Sequence, residues 1–193
     1  MKDAADILYS RIDALIREKG RVLAAVDGMA ASGKTTLCEN LRARIPGCHI
    51  IHMDDFTTPF EKRYDGYFEA SLTNADTGRF LEEALLPLAR GESAVYRPYR
   101  CHPEAGFMEP VTVPGICRCV IVEGAYCLHP ALWDYYDIRA LMTVSPETQR
   151  MRILARNGAA QLARFESLWI PMENRHIASR RLAQRCDILL SGD

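Results

Sequence analysis

The residues from Gly28 to Thr35 constrain this chain more than any others. Their sequence, GMAASGKT, fits the pattern G-x-x-x-x-G-K-[ST] of a phosphate-binding loop. Two glycines let such a loop bend around a polyphosphate, and its N–H groups and the positive end of the next helix face the anion. The pattern predicts that Lys34 reaches the β- and γ-phosphates of a nucleotide and that the hydroxyl of Thr35 holds Mg²⁺.

The sequence on either side of the loop predicts a strand before it and a helix after it. The apolar run from Val22 to Val26 has the length of a strand. From 36 to 45 apolar residues recur every four positions, as on one helical face, and Pro46 ends that helix. We therefore expect ATP to bind through Gly28, Ala30, Ala31, Ser32, Gly33, Lys34, Thr35 and Thr36.

The composition suits one α/β domain with insertions, spanning 1–193. The chain has 193 residues, is 48% hydrophobic and has a formal net charge of −1, which favours neither nucleic acid nor a membrane as a partner. Its apolar stretches are too short to cross a bilayer, and we expect no signal peptide. The seven cysteines are scattered, which favours reduced thiols in a cytoplasmic protein. Their spacing does not match that of a zinc finger. Whether the protein forms a homo-oligomer stays open.

Strand and helix patterns alternate along the chain. Apolar runs predict strands at 22–26, 49–53, 119–122, 138–144 and 186–190, and helical periodicity is found at 4–19, 36–45, 76–90, 146–156 and 171–184. The alternation predicts a three-layer αβα fold of the P-loop NTPase class around a five-stranded, mainly parallel sheet. Residues 1–20 form an extra helix that we expect to pack on the core, although a role in interaction stays open.

Acidic residues follow two of the predicted strands, at the edge where ligands of parallel sheets bind. Asp54 could accept the proton of an acceptor hydroxyl or hold Mg²⁺ through water. The alternative is a loop-capping turn, which we favour for the neighbouring Asp55. Glu123 ends a fully apolar strand, the Walker-B pattern that brings a carboxylate close to a metal.

Arginines are concentrated after the fourth predicted strand. Arg150, Arg152 and Arg156 lie in one predicted helix, and Arg164 follows in a segment rich in glycine and alanine. Phosphoryl transfer needs cations over the migrating group, so a lid at about 152–168 could close over ATP and exclude water. The alternative is a solvated basic helix face, which we favour for Arg150.

Residues 57–113 are expected to form a substrate-side insertion. We expect residues 93–99 and 109–113 to pair as a small hairpin with 101–107 as its loop. The aromatic and cationic residues from Tyr96 to Arg100, with His102, suit stacking and hydrogen bonding to a flat polar substrate. An ordinary exposed hairpin is the alternative.

Four stretches resemble the uridine kinase-like branch of the P-loop kinases, which includes uridine-cytidine and nicotinamide riboside kinases. They are GMAASGKTTL at 28–37, IIHMDDF at 50–56, VIVEGAYCL at 120–128 and PETQRMRILARN at 146–157. The resemblance implies an ATP- and Mg²⁺-dependent kinase for a small hydroxyl-bearing acceptor. It implies that Asp54 is the catalytic base, that Glu123 lies near metal and acceptor, and that the lid arginines are Arg152 and Arg156. The segment 96–99 resembles the family's hairpin motif, in which a tyrosine lines the nucleoside pocket. We expect acceptor contacts from Phe56, Tyr99 and Arg100.

The sequence departs from this family where the acceptor would bind. The family's His/Asp-Pro-x-Ala-Phe-Asp stretch is replaced by 74–78, NADTG. The family's lid usually has Arg-Asp followed by Arg-Gly, whereas this chain has RNG at 156–158 and Arg164 alone later. A nucleoside, uridine first, is the expected acceptor, with nicotinamide riboside or another vitamin-like alcohol as the alternative. A switch or assembly ATPase also stays open, although the N-K-x-D signature of G proteins is absent. A binding-only protein conflicts with the intact Lys34, Thr35, Asp54 and Glu123.

Overall fold

The computed structural model describes residues 3–64, 66–67, 73–101 and 106–193. In this part of the chain the α-helices are α1 (Ala4–Lys19), α2 (Lys34–Arg44), α3 (Thr77–Phe80), α4 (Leu86–Ala89), α5 (Pro146–Arg164), α6 (Ile170–Ser179) and α7 (Leu182–Arg185). Wider π-helical turns occupy Leu81–Leu85 and Phe165–Trp169, and 3-10 turns occupy Met53–Phe56, Phe60–Lys62 and Trp133–Tyr135.

The strands form one large sheet and two small ones. They are β1 (Val22–Gly28), β2 (Cys48–His52), β3 (Ala94–Tyr96), β4 (Tyr99–Arg100), β5 (Gly106–Phe107), β6 (Val111–Val113), β7 (Cys119–Glu123), β8 (Ile138–Thr143) and β9 (Ile188–Ser191). The large sheet has the order β2-β7-β1-β8-β9, and every neighbouring pair in it is parallel. The predicted five-stranded α/β fold is therefore confirmed.

Each face of the large sheet is covered by helices. Alternate residues of β1 point to opposite faces, so Val26 packs towards α1 and α2 while Ala25 packs towards the helical stretch from α3 to α4. On α1 the side chains of Leu8, Ile12 and Ile16 are buried in the first of these layers. The apolar face of the N-terminal helix is thus used in packing.

Two of the predicted helices are less regular than their sequences suggested. The helix predicted at 76–90 contains the π turn Leu81–Leu85, just before Pro87, which has no N–H to donate. The helix predicted at 171–184 ends at Ser179, and Arg181, with a φ of 53°, separates it from α7. The predicted break at 157–158 is confirmed, because Gly158 has a φ of 79° and a ψ of 170° within α5. Helical structure nevertheless resumes at once, so Arg164 lies on a helix.

The small hairpin is partly as predicted. Strands β3 and β6 pair antiparallel, as expected for 93–99 and 109–113. The segment 101–107 is not wholly a loop, because β5 pairs with β4. His102 lies outside the described residues. In the part of the chain that the structure describes, no helix is long and apolar enough to span a bilayer.

Candidate active site

The loop from Gly28 to Thr35 leaves the carboxyl end of β1 and leads directly into α2. Gly28 has a φ of 147°, and a Cβ at this position would overlap the carbonyl oxygen of Met142 on β8. The N–H of Met29 donates to that carbonyl at 3.1 Å, and Ala31 follows with a left-handed φ of 56°. This backbone curls around one end of a cleft of about 990 Å³, so the predicted strand–loop–helix arrangement is present.

Lys34 is folded against its own loop. Its Nζ donates to the carbonyl oxygens of Gly28 at 2.9 Å and Met29 at 2.8 Å. The side chain is nearly buried, yet it lines the cleft. A cation held in this way can exchange a carbonyl for a phosphate oxygen when a nucleotide binds.

Glu123, the last residue of β7, joins three parts of the site. It is in register with His52, the last residue of β2. Its Oε1 accepts a hydrogen bond from Oγ1 of Thr35 at 3.1 Å and lies 2.6 Å from Nδ1 of His52. The hydrogen bond with Glu123 raises the pKa of His52, so the charged imidazolium is favoured beside the carboxylate.

The oxygens of Thr35 and Glu123 fit the predicted contact with Mg²⁺. Hydroxyl and carboxylate oxygens are hard donors of the type this ion prefers, and Mg²⁺ usually keeps several waters and takes phosphate oxygens as further ligands. Among the described residues, no group of three or more His, Cys, Asp or Glu side chains could hold a metal by itself. An ion held by Thr35 and Glu123 would take its further ligands from water and the phosphates of the nucleotide.

Asp54 and Asp55 have opposite surroundings in the 3-10 turn after β2. Asp54 is exposed to the cleft but enclosed by protein on its other sides; loss of hydration and the nearby Glu123 raise its pKa. Asp55 is buried, pairs with Arg100 at 2.7 Å and accepts a hydrogen bond from the Tyr96 hydroxyl at 3.4 Å. Asp54 therefore faces the cleft and Asp55 holds the insertion to the turn.

The arginines divide into two groups. Arg152 donates to the carbonyls of Ala31 at 3.2 Å and Gly192 at 2.7 Å, so it ties the phosphate-binding loop to the C-terminal end of the sheet. Arg152, Arg156 and Arg164 all line the cleft. Arg150 instead forms an exposed ion pair with Glu166, which agrees with the solvated-face alternative.

The insertion also contributes to the lining of the cleft. Tyr99 and Arg100 both line it, and the Tyr99 hydroxyl accepts a hydrogen bond from the N–H of Phe60 at 3.1 Å. The predicted acceptor contact of Phe56 is wrong. Its ring is fully buried, 4.9 Å from that of Phe80 and 4.8 Å from that of Tyr96, and it does not line the cleft.

Comparisons with known proteins bear on the fold. No protein-family model matches the chain. A Schizosaccharomyces pombe protein named "Putative uridine kinase" is 29% identical over 89% of this chain and 81% of its own length. A Bacillus stearothermophilus structure described as "a Possible Uridine Kinase" has a TM-score of 0.67 at 20% identity, covering 95% of this chain and 99% of that one.

A second similar structure is a "putative fructose transport system kinase" from Silicibacter sp. TM1040. It has a TM-score of 0.68 at 23% identity and covers 94% of this chain and 98% of its own. The chain has the P-loop kinase fold. The resemblance to uridine kinase-like P-loop kinases, first noticed in four short motifs, thus extends over nearly the whole chain.

Sequence reasoning missed several residues that hold the P-loop of this kinase fold. Asp27, 1% exposed, accepts hydrogen bonds from the N–H groups of Gly28 and Leu128 and lies 3.1 Å from Nε2 of His176 on α6. Gln149 and Glu173 bind the loop from α5 and α6. The available signal was the spacing of Glu173 and His176, three positions apart on one helical face. It indicates a shared face and does not identify what that face contacts.

Proposed function

We propose that this protein is a kinase that transfers the γ-phosphoryl group of ATP to a hydroxyl of a small acceptor in the cytoplasm. The proposal is carried by one observation: a single cleft is lined by Lys34 and Thr35 from the P-loop, by Asp54 and by Glu123. A phosphate-binding loop, an oxygen pair suited to a metal and a separate carboxylate are the parts that phosphoryl transfer to an alcohol needs.

The role of each residue follows from its surroundings. Bound ATP with Mg²⁺ supplies the phosphoryl group and neutralises part of its charge. Asp54 orients the acceptor hydroxyl and takes its proton, and its raised pKa makes it a better base at neutral pH than an ordinary aspartate. Glu123 supports the metal, while Lys34 and the arginines of the 152–168 lid stabilise charge on the transferring group.

A nucleoside, with uridine first, is the acceptor we propose. Two similar proteins carry names that mention uridine kinase. The lining of the cleft supports a flat polar acceptor, because Phe60 is 47% exposed and offers aromatic surface there and Arg100 lines the same cleft. Nicotinamide riboside has a ribosyl group and a flat ring as well, and it is the alternative within the same class.

The test is ADP release over a panel of acceptors that includes uridine, cytidine, nicotinamide riboside and pantothenate. We expect release that depends on an acceptor and on Mg²⁺ and that is lost on chelation with EDTA. Release at the same rate without any acceptor would contradict the proposal and favour the ATPase alternative. Release that Lys34→Ala leaves unchanged would also contradict the proposal, since the P-loop lysine would then take no part in it.

A further inference from the structure

The backbone of Ala30 in the P-loop is held on two sides, by one side chain from α5 and one from α6. The N–H of Ala30 donates to Oε2 of Glu173 on α6 at 2.7 Å. The carbonyl oxygen of Ala30 accepts a hydrogen bond from Nε2 of Gln149 on α5 at 2.9 Å. Both side chains are buried, so water is a poor substitute for either bond.

Glu173 places a carboxyl group in the cleft beside the P-loop. It lines the cleft together with the P-loop, which is built to hold a polyphosphate. Four charged or titratable groups from other elements act on Glu173: Lys34 from the start of α2, Asp27 from β1, Asp54 from the 3-10 turn and Tyr126 from the loop after β7. His176 lies three positions along the same helix, and Arg152 from α5 lines the same cleft. Only part of this set is cationic.

Burial of Glu173 already disfavours its charged form and raises its pKa to about 7. The hydrogen bond from Ala30 and the nearby Lys34 act in the opposite direction but are the smaller effects. A nucleotide triphosphate brings several further negative charges into the same cleft. Their repulsion would favour the neutral carboxyl still more.

We propose that Glu173 is a positioning residue that holds the Ala30 peptide of the P-loop, and that a nucleotide triphosphate binds with this carboxyl protonated. The proton comes from solvent and is added to Oε1, so Oε2 remains the acceptor for Ala30. The neutral group then accepts one hydrogen bond and can donate another. The inference rests on the proposed function, because it needs a nucleotide at Gly28–Thr35.

Two substitutions separate the hydrogen bond from the charge. Glu173→Gln has nearly the shape of the protonated acid, with one oxygen to accept from Ala30 and an NH₂ group to donate. Glu173→Ala leaves the buried N–H of Ala30 without an acceptor. Glu147→Gln is the matched control, since Glu147 is an exposed glutamate in the first turn of α5.

The experiment is isothermal titration calorimetry of the full chain with Mg²⁺ and the non-hydrolysable β,γ-imido analogue of ATP. Titrations at about pH 8 in two buffers of different ionisation heat measure the protons taken up, and titrations from about pH 6 to 9 give the pH dependence of Kd. Wild type and Glu147→Gln should take up a large fraction of one proton per site. Their Kd should rise with pH, by at most about tenfold per unit.

Glu173→Gln should take up fewer protons than wild type, and the difference should equal the fraction of a proton per site that wild type takes up. The Kd of this variant should also depend less on pH. Glu173→Ala should bind more weakly across the whole range, and thermal unfolding will report whether it remains folded. Proton uptake by Glu173→Gln equal to that of wild type would overturn the proposal, as would binding by Glu173→Gln as weak as that of Glu173→Ala.

The result also separates this inference from the proposed function. Wild type that binds the analogue with the expected proton uptake, but phosphorylates no acceptor, would support the inference while the proposed function fails. Wild type that binds no analogue would overturn both.

Discussion

The carboxylate oxygen Oε1 of Glu123 lies 2.6 Å from Nδ1 of His52, its register partner on the adjacent strand. The same oxygen accepts the hydrogen bond of Thr35, so one atom links β2, β7 and the first turn of α2. Glu123 is nearly inaccessible and His52 is partly exposed, so the hydrogen bond with the imidazole orients a buried carboxylate.

His52→Ala should lower kcat by about tenfold, the size expected when a hydrogen bond to a charged group is lost. The affinity for nucleotide should change less, since the P-loop itself is untouched. Steady-state kinetics with saturating ATP will measure the effect. His49→Ala, on the same strand, is the control, and an equal loss of kcat in both variants would indicate a general disturbance of β2.

Asp54→Asn should lower kcat by roughly 10²-fold or more, because the amide cannot take the hydroxyl proton. A base must be ionised to act, so kcat of the wild type should fall as the pH drops through the pKa of Asp54. Since that pKa is raised, the fall should occur at a higher pH than the value of about 3.9 for a free aspartate predicts.

A pH profile of kcat checks this directly. Asp54→Asn should lack the acidic fall of the wild type, while nucleotide binding survives. An unchanged kcat in this variant would remove Asp54 from the chemistry and leave it as a turn residue.

Lys34→Ala should abolish ATP turnover, with a loss of at least about 10²-fold in kcat/KM, because no other lysine reaches this loop among the described residues. The side chain also binds the carbonyls of Gly28 and Met29, so circular dichroism should accompany the kinetics. Lys62→Ala is the control, since Lys62 forms an exposed ion pair with Asp76. Near-normal turnover by Lys34→Ala would refute the P-loop role.

Phe56→Ala should lower the free energy of unfolding by about 3–5 kcal/mol, the usual effect of removing a buried aromatic ring. Chemical denaturation measures this change. Phe60→Ala should cost far less, because Phe60 is 47% exposed and lies in the wall of the cleft. A small loss for Phe56 would contradict its assignment to the core.

The fold could be predicted from sequence because its main signals are local. Each strand of the large sheet is a short apolar run, and the P-loop pattern fixes how β1 connects to α2. The position of Asp54 and Glu123 followed from the rule that parallel strands present their carboxyl ends at one edge. Each of these inferences needed only neighbouring residues and the order of elements.

What could not be predicted depends on contacts between distant residues. Glu173 reaches Ala30 across 143 positions, and the pairing of His52 with Glu123 spans 71. Phe56 was misassigned for a related reason: its motif made it a candidate for the acceptor pocket, while its direction depends on how the 3-10 turn packs on Phe80. Side-chain direction in an irregular turn is not encoded by periodicity.

The central claim is that this cleft transfers a phosphoryl group to a small alcohol. The most direct test incubates the protein with Mg²⁺ and ATP labelled with ³²P at the γ-position, adds uridine, and separates the products by chromatography. The account predicts label in a phosphorylated nucleoside, formed by the wild type and lost in Asp54→Asn. Label found only in inorganic phosphate, at a rate that neither uridine nor any other alcohol of the panel changes, would contradict it.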